Sequence, residues 1–368
     1  MTQTAHSPAA GRPDPGSPSP AKGTSPAGPP ARDDRVRRRS PLAALFGRPE
    51  IGSLIGAVVI FAFFFAVADP FRSVSSMATV LYASSTIGIM AVAVALLMIG
   101  GEFDLSAGVA VTTSAITASI TSWQLGLNVW AGILIALAVS LAIGYFNGWL
   151  LLKTGLPSFL ITLGTFFMLQ GINLGVTRVI TGTVATPAIQ DMDGFDAARA
   201  LFSSTIAIGG VGFRITILWW FVLVALSTYV LLRTRVGNWI FAVGGDAAAA
   251  RAVGVPVRAT KIGLFMFVGF CAWFAGMHQL FAFNTIQSGQ GVGNEFLFII
   301  AAVVGGCLLT GGYGSTVGAA VGAFIFGMTT QGIVFAGWNP DWFRLFLGAM
   351  LLLATVVNLV VRKQAEKR

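Results

Sequence analysis

The residues best placed to do chemistry in an apolar environment are concentrated in one stretch, Gly100 to Gly108. This stretch places two carboxylates and a hydroxyl, Glu102, Asp104 and Ser106, between two long apolar runs. A carboxylate in a membrane is costly to bury, so it is a candidate for contact with a transported solute. Asp104 could equally cap the next helix, with Ser106 assisting, because aspartate accepts hydrogen bonds from a helix N-terminus. The sequence leaves both roles open.

A second set of polar side chains recurs at helical spacing further along the chain. Thr162, Thr165, Gln170 and Asn173 lie on related faces of one predicted helix. Their hydroxyl and amide groups could line the path of a polar solute such as a sugar, but the same groups also bond membrane helices to one another. His278 stands within an apolar run, where we expect an interhelical hydrogen bond rather than a ligand role.

The pattern of reactive residues argues against an enzyme. No nucleophile and base pair and no cluster of metal ligands is visible in the sequence, so we expect neither a catalytic residue nor a metal site. Cys271 and Cys307 stand in apolar runs without metal-ligand spacing and are interpreted as packing residues. The glycines before Asp246 are not followed by Gly-Lys-Ser/Thr, so we do not expect this chain to bind a nucleotide.

The composition is that of an integral membrane protein. Of the 368 residues, 55% are hydrophobic and only 10% are charged, whereas about a quarter of a soluble chain is charged. Long apolar runs and 45 glycines indicate closely packed helices in a lipid bilayer rather than a barrel of short alternating strands. The basic residues lie at the ends and between apolar runs, so the net charge of +9 indicates membrane topology and not nucleic-acid binding.

The fold class predicted from these runs is an all-α membrane protein with about ten transmembrane helices. Each run is near the roughly 20 residues that cross the hydrocarbon. The predicted spans are 51–68, 77–99, 107–122, 128–152, 158–177, 215–232, 262–283, 296–310, 315–335 and 342–361. Nine spans is the alternative, but ten place both termini and most of the 23 Lys and Arg residues in the cytoplasm.

Three regions follow from this division. Residues 1–48 are rich in Pro, Ser and Arg and are predicted to be a disordered cytoplasmic tail. Residues 49–361 form the transmembrane domain, and residues 362–368 form a basic cytoplasmic C-terminus. The outer connection, 178–214, is polar and could dock an external partner.

The inner connection, 233–261, is predicted to contain a short cytoplasmic helix between Ala242 and Pro256. Asp246 is its N-cap, four alanines favour the helix, and Gly254 followed by Pro256 stops it. Such a helix could act as a lever for a partner protein. The alternative is an ordinary amphipathic helix resting at the lipid headgroups.

A second glycine-rich break, 310–315, echoes the break at 100–106. A stripe of glycines then recurs every four residues, at Gly314, Gly318 and Gly322. It predicts close helix packing, and the functional alternative is a surface along which helices slide during transport. Paired breaks often mark a substrate site in transporters, although the predicted orientation of these two does not fit an inverted repeat.

Four stretches together resemble the permease subunits of bacterial ATP-binding-cassette importers of the ribose, xylose and arabinose type. They are Gly101–Gly108, Gly155–Thr165 with Gln170-Gly171, Ala242–Val255 and Ala301–Gly322. The tail lies outside the resemblance. Glu102-Phe103 stands where the family more often has Gly-Ile, which adds a carboxylate to the motif.

The resemblance implies a multi-pass protein of the bacterial plasma (inner) membrane that imports a simple sugar, a pentose or hexose, by alternating access. Its partners would be a cytoplasmic ATPase, an extracellular substrate-binding protein and a second permease copy, identical or related. It implies no cofactor here, because the separate ATPase binds ATP. The residues expected to couple to that ATPase are Gly244, Gly245, Asp246, Ala250, Arg251 and Gly254. Another small polar cargo, such as a nucleoside, polyol or signalling sugar, or a stand-alone secondary carrier, remains the alternative.

Overall fold

The computed structural model describes residues 49–366, which are mainly helical. The predicted tail, 1–48, and residues 367–368 lie outside this described range. The described elements are α1 (Pro49–Val67), α2 (Val74–Ile99), α3 (Ala107–Leu125), α4 (Val129–Thr154), α5 (Ser158–Thr181), α6 (Phe195–Ser203), β1 (Thr205–Ile208), β2 (Val211–Arg214), α7 (Ile215–Arg233), α8 (Arg235–Gly245), α9 (Ala247–Ala252), α10 (Val257–Phe283), α11 (Asn294–Val304), α12 (Thr316–Phe335) and α13 (Trp342–Glu366). A single 3-10 turn, Asp69–Arg72, joins α1 to α2.

The all-α prediction is confirmed, because every predicted span overlaps one helix of the described range. Seven helices there are long and apolar enough to cross a membrane, namely α1, α2, α4, α5, α7, α10 and α12. Helix α3 is rich in Ser and Thr, which lowers its hydropathy, and most of these side chains are buried. The total of ten spans and the cytoplasmic position of both termini stay predictions.

The eighth predicted span is shorter than its apolar run suggests. Helix α11 ends at Val304 instead of residue 310 and contains 11 residues. At 1.5 Å per residue its length is about 16 Å, roughly half of the hydrocarbon thickness. Gly306 adopts a left-handed φ of 93°, so the chain leaves the helix and runs as an irregular break until α12 starts.

Helix α2 forms the centre of the bundle. Its side chains from Ile89 to Ile99 are at most 4% exposed. Helix α12 packs against it so closely that a Cβ on Gly327 would lie 2.0 Å from the Ser84 Oγ. The half of the bundle that contains Ile89 to Ile99 is therefore built around one fully enclosed helix.

The predicted packing role of the glycine stripe is confirmed for two of its three residues. A Cβ on Gly318 would lie 2.0 Å from the Gly305 carbonyl oxygen, and one on Gly322 would lie 2.0 Å from that of Ala301. The assignment of Gly314 to this helical stripe is wrong. It precedes the first residue of α12 and has a φ of 156°, so it belongs to the break.

The outer connection is more regular than its polar composition indicated. It contains α6 and a hairpin in which β1 pairs antiparallel with β2. Gly209 and Gly210 have φ values of 60° and 82°, the left-handed pair that a type I′ turn requires. Ile206 and Ile208 on β1 are exposed. The sequence analysis predicted neither element.

Candidate functional site

The first break joins α2 to α3 through a turn that only glycine favours. Gly101 has a φ of 84°, and the amide of Glu102 donates to the Leu97 carbonyl at 3.1 Å. Asp104 then accepts hydrogen bonds from the amide, at 2.8 Å, and the hydroxyl of Ser106. Ser106 holds the N-cap position of α3 without capping through its own side chain. The carboxylate of Asp104 supplies an acceptor at the start of α3, which favours the capping interpretation, and a role in the solute path stays a prediction.

The additional carboxylate in this break has a specific partner. Glu102 is buried and forms an ion pair with the ammonium of Lys261 on α10. The side chains are 9% and 16% exposed, respectively. A charge at this depth is expensive unless it is paired. The pair therefore ties the α2–α3 break to the start of α10.

Hydrogen bonds also fasten the first break to α4 and α5. The amide of Leu105 donates to the Thr162 hydroxyl at 3.1 Å. Asn147 donates to the Ser106 hydroxyl at 3.0 Å and accepts from the Thr165 hydroxyl at 2.7 Å. The break is consequently held by a satisfied buried network, in which Asn147 joins three helices.

Two members of this network, Asn147 and Ser158, were not predicted from the sequence. Asn147 lies in the apolar run of α4, and its single amide was the feature of the sequence that could have indicated a polar contact there. Ser158 stood in the motif after Pro157 without a proposed role, and its hydroxyl accepts from the Phe103 amide at 3.0 Å. Both residues bond to segments that lie far away in the sequence, so local sequence patterns could not identify their partners.

The predicted path residues of α5 do not all lie together. Thr162 and Thr165 belong to the network at the first break, whereas Asn173 donates to the Val109 carbonyl at 3.4 Å. Gln170 is partly buried and takes no part in these bonds. The contacts favour the interhelical role for three residues, and a role in the solute path stays a prediction for all four.

The two breaks and the inner connection meet backbone to backbone. The amide of Gly312, in the second break, donates to the carbonyl of Ile99 at 2.9 Å. A Cβ on Gly244 would lie 1.8 Å from that carbonyl oxygen, and one on Gly311 would lie 2.7 Å from the Cα of Gly101. We name Gly101, Gly244, Gly311 and Gly312 the glycine junction. No other residue type allows three chain segments to approach so closely.

The inner connection contains two helices instead of one. Asp246 caps α9, as predicted, by accepting from the amides of Ala248 and Ala249 at 2.9 and 3.0 Å. The prediction that 242–245 belongs to this short helix is wrong. These residues end the preceding helix α8, which begins after the Thr234 cap. Gly244 therefore reaches the glycine junction from a helix terminus.

Helix α9 presents one buried face and a broad exposed surface. Ala250 is 4% exposed and packs in a small cluster with Val243 and Val257. Arg251 is exposed, and Val253 is 80% exposed. Gly254 has a φ of 85° and terminates the segment.

His278 makes the hydrogen bonds expected of a structural residue. Its Nδ1 lies 2.8 Å from both the Thr216 hydroxyl and the Phe202 carbonyl oxygen. Its Nε2 lies 3.1 Å from the Tyr82 hydroxyl. The interhelical interpretation is confirmed. Cys271 and Cys307 are buried and free, also as predicted.

The fold and the site point to a class of protein. Apolar helices interrupted by buried breaks, with the end of α8 packed against both breaks, are features of membrane transport proteins. The chain also matches, over residues 76–355, the model of a known family. It belongs to the family described as the branched-chain amino acid transport system / permease component, and within it to the simple-sugar permeases of ATP-binding-cassette importers.

Curated relatives cover most of the chain. It is 30% identical over 309 residues to the ribose import permease protein of Escherichia coli K12, which covers 83% of this chain and 92% of the relative. The fructose import permease protein of Rhizobium meliloti is 28% identical, covering 83% and 84%. The galactose/methyl galactoside import permease protein of Escherichia coli K12 is 29% identical, covering 85% and 92%. No solved structure matches the chain.

Membership of this family sets the broad assignment. The relatives are transport permease components and not enzymes. The chain is a multi-pass protein of the inner membrane. The family implies, in general terms, an ATPase partner and a substrate-binding partner.

Proposed function

We propose that this permease moves a simple sugar, a pentose or hexose, into the cytoplasm by alternating access. A separate cytoplasmic ATPase binds ATP and drives the cycle, an extracellular binding protein delivers the sugar, and a second permease copy, identical or related, completes the pathway. The relatives carry the names of ribose, fructose and galactose permeases, which supports the simple-sugar class.

The observation that carries the proposed mechanism is the glycine junction. Gly244 ends the helix that leads into α9, and its backbone lies against the carbonyl of Ile99 at the end of α2. The same carbonyl accepts from Gly312 in the second break. A displacement of α8 and α9 therefore has to move both breaks, because backbone contacts leave no side chain to absorb it.

Helix α9 is the proposed contact with the ATPase. Arg251 of α9 and Val253, the residue after the helix, are exposed and supply charge and apolar surface, while Ala250 keeps the helix packed against the rest of the inner connection. Closure of the ATPase on ATP would push this helix, and the junction would pass the push to the α2–α3 and α11–α12 breaks. The network around Asp104 and Asn147 would carry it on to α4 and α5.

The proposed topology has ten spans and both termini in the cytoplasm. It counts α3, α11 and α13 as spans beside the seven longer apolar helices. This arrangement places α9 and the glycine junction on the cytoplasmic side and α6 with the hairpin on the outer side. The concentration of Lys and Arg in the proposed inner segments supports it.

Reconstitution tests the proposed function. The permease is incorporated into liposomes alone, with its ATPase, or with both the ATPase and the binding protein, and uptake of labelled ribose, fructose and galactose is measured. We expect uptake of at least one sugar only when all three proteins and ATP are present. Uptake of any of these sugars by the permease alone would instead establish a secondary carrier and overturn the proposal.

A further inference from the structure

An apolar groove unrelated to the glycine junction lies between α7 and α10. Two adjoining cavities of about 430 and 160 Å³ form it and share Leu223, Leu226 and Phe270. The larger cavity extends to Trp239 of α8, and the smaller one extends to Trp219 near the start of α7. We name this feature the α7–α10 groove.

The dimensions of the groove match the hydrocarbon of one membrane leaflet. Trp219 and Val230 stand eleven residues apart on α7, which corresponds to about 16 Å along a helix axis. One leaflet supplies about half of the roughly 30 Å hydrocarbon thickness. Nearly all lining side chains are apolar, so an acyl chain fits both the length and the chemistry of this groove.

One polar group in the groove lacks a partner. Ser227 lines the larger cavity and is 3% exposed. Its hydroxyl makes no hydrogen bond to any residue that the structure describes. A buried hydroxyl without a partner is costly. The oxygen has almost no accessible surface, so the groove presents an essentially apolar wall at this position.

Positive charge flanks the end of the groove at α8. Arg233 continues the face of α7 that presents Leu226 and Val230, because these positions are separated by three or four residues. Arg235 stands next to Val236, which lines the groove. Both arginines are exposed. Six residues separate Arg233 from Ser227, which places the charge about 9 Å further along the helix than the hydroxyl.

We propose that the α7–α10 groove binds an anionic phospholipid of the cytoplasmic leaflet. The acyl chain fills the apolar groove, and the headgroup phosphate lies at Arg233 and Arg235. A second copy of the chain is a poorer occupant. A symmetric contact would bring the same patch of both copies together, and the arginines would then face each other.

Binding of a defined lipid to the purified full-length permease tests this site. The protein is stripped of lipid and titrated with dioleoyl phosphatidylglycerol or dioleoyl phosphatidylcholine, and bound lipid is counted by native mass spectrometry. Gly263→Trp fills the groove, since Gly263 lines it and an added Cβ meets nothing within 4 Å. Gly52→Trp is the matched control, because Gly52 of α1 has equally open space.

We expect the wild type and Gly52→Trp to prefer phosphatidylglycerol, and Gly263→Trp to lose at least about tenfold in affinity. Arg233→Gln with Arg235→Gln should lose roughly thirtyfold for phosphatidylglycerol and little for phosphatidylcholine. Arg178→Gln with Arg199→Gln removes the same charge elsewhere and should leave binding unchanged. The four arginines are exposed, so their substitution still tests the site if Gly263→Trp does not fold.

Two results would overturn the lipid site. One is unchanged phosphatidylglycerol binding in both the filled and the charge-neutralised variants. The other is a change of oligomeric state in Gly263→Trp without a change in lipid binding per chain, which would identify the groove as a contact between copies. Neither result bears on the proposed sugar transport, which is measured separately.

Discussion

At the scale of single residues, the most informative group is the carboxylate of Glu102. It adds a charge at a position where glycine is more frequent in the permease family that the sequence resembles. The ammonium of Lys261 is its counter-ion. Lys261 lies on α10, outside the glycine junction, so the pair adds a separate contact that fixes the α2–α3 break relative to α10.

Breaking this ion pair on one side should destabilise the protein. Glu102→Gln leaves the Lys261 ammonium buried without a counter-ion, at an expected cost of about 3 kcal/mol. Lys261→Met leaves the Glu102 carboxylate buried without a counter-ion. The double variant removes both charges and should recover most of the loss. Thermal unfolding of the purified proteins measures this, and a double variant as unstable as the sum of the two singles would contradict the coupling.

Asp104 offers a test of whether its charge or its shape matters. Asp104→Asn keeps an oxygen that accepts from the Ser106 amide, and asparagine caps about as well as aspartate. Asp104→Ala loses the cap, at a cost of about 1 kcal/mol. We expect Asn to preserve both stability and uptake and Ala to lower stability. If Asn abolishes uptake while unfolding normally, the charge itself acts in the solute path.

At the scale of elements, the main result is that α8 and α9 form a jointed pair. Asp246 ends one helix and caps the next, and Ala250 of α9 also packs with Val243 of α8. A displacement of α9 by a partner protein is therefore passed to the end of α8, which lies in the glycine junction. At the end of α8 the position of Gly244 is tightly packed, whereas that of Gly245 has open space around an added Cβ.

Neighbouring glycines of α8 should respond very differently to alanine. A Cβ on Gly244 would lie 1.8 Å from the Ile99 oxygen and 2.7 Å from the Gly312 nitrogen, whereas one on Gly245 meets nothing within 4 Å. Overpacking of this kind costs about 1–3 kcal/mol. We expect Gly244→Ala to reduce sugar uptake strongly and Gly245→Ala to transport normally. Equal uptake by both variants would remove the junction from the mechanism.

Changes on α9 test the contact with the ATPase. Asp246→Ala with Arg251→Glu removes the cap and reverses an exposed charge, and we expect normal protein levels with ATP hydrolysis no longer coupled to uptake. Asp246→Asn with Arg251→Lys keeps a capping oxygen and the charge, and should transport normally. ATPase rate and sugar uptake are measured on the same proteoliposomes, and normal uptake by the first variant would exclude α9 as the coupling element.

At the scale of the whole molecule, orientation decides which surfaces meet which partners. The proposed topology exposes α6 and the hairpin outside and α9 inside. Helix α11 is only about 16 Å long at 1.5 Å per residue, roughly half of the hydrocarbon thickness, so the second break begins within the bundle. There it meets the first break and the end of α8.

Cysteine labelling measures this orientation directly. Arg199→Cys and Ile208→Cys should react with a membrane-impermeant maleimide added to right-side-out spheroplasts. Arg251→Cys and Arg258→Cys should react only after the membrane is opened. The native Cys271 and Cys307 are 0% and 1% exposed and should stay silent. Labelling of Arg251→Cys in intact spheroplasts would invert the topology.

Local sequence determined a large part of this protein. Apolar runs predicted the membrane helices, glycine pairs predicted the breaks, and Asp246 predicted the start of α9, because each signal acts over one or two helical turns. Predictions that rested on weaker local signals were wrong or were not made. The end of α11 was extended to residue 310, and α6 with the hairpin was not predicted from a polar connection.

Only the tertiary structure decided which segments meet. Gly101, Gly244 and Gly312 stand far apart in the chain, and no periodicity or cap relates one to another. Their contact depends on how α2, α8 and the second break pack, as does the pairing of Glu102 with Lys261. Glycine in a sequence indicates that a close approach is allowed, but the partner in that approach is set by the packing of the whole bundle.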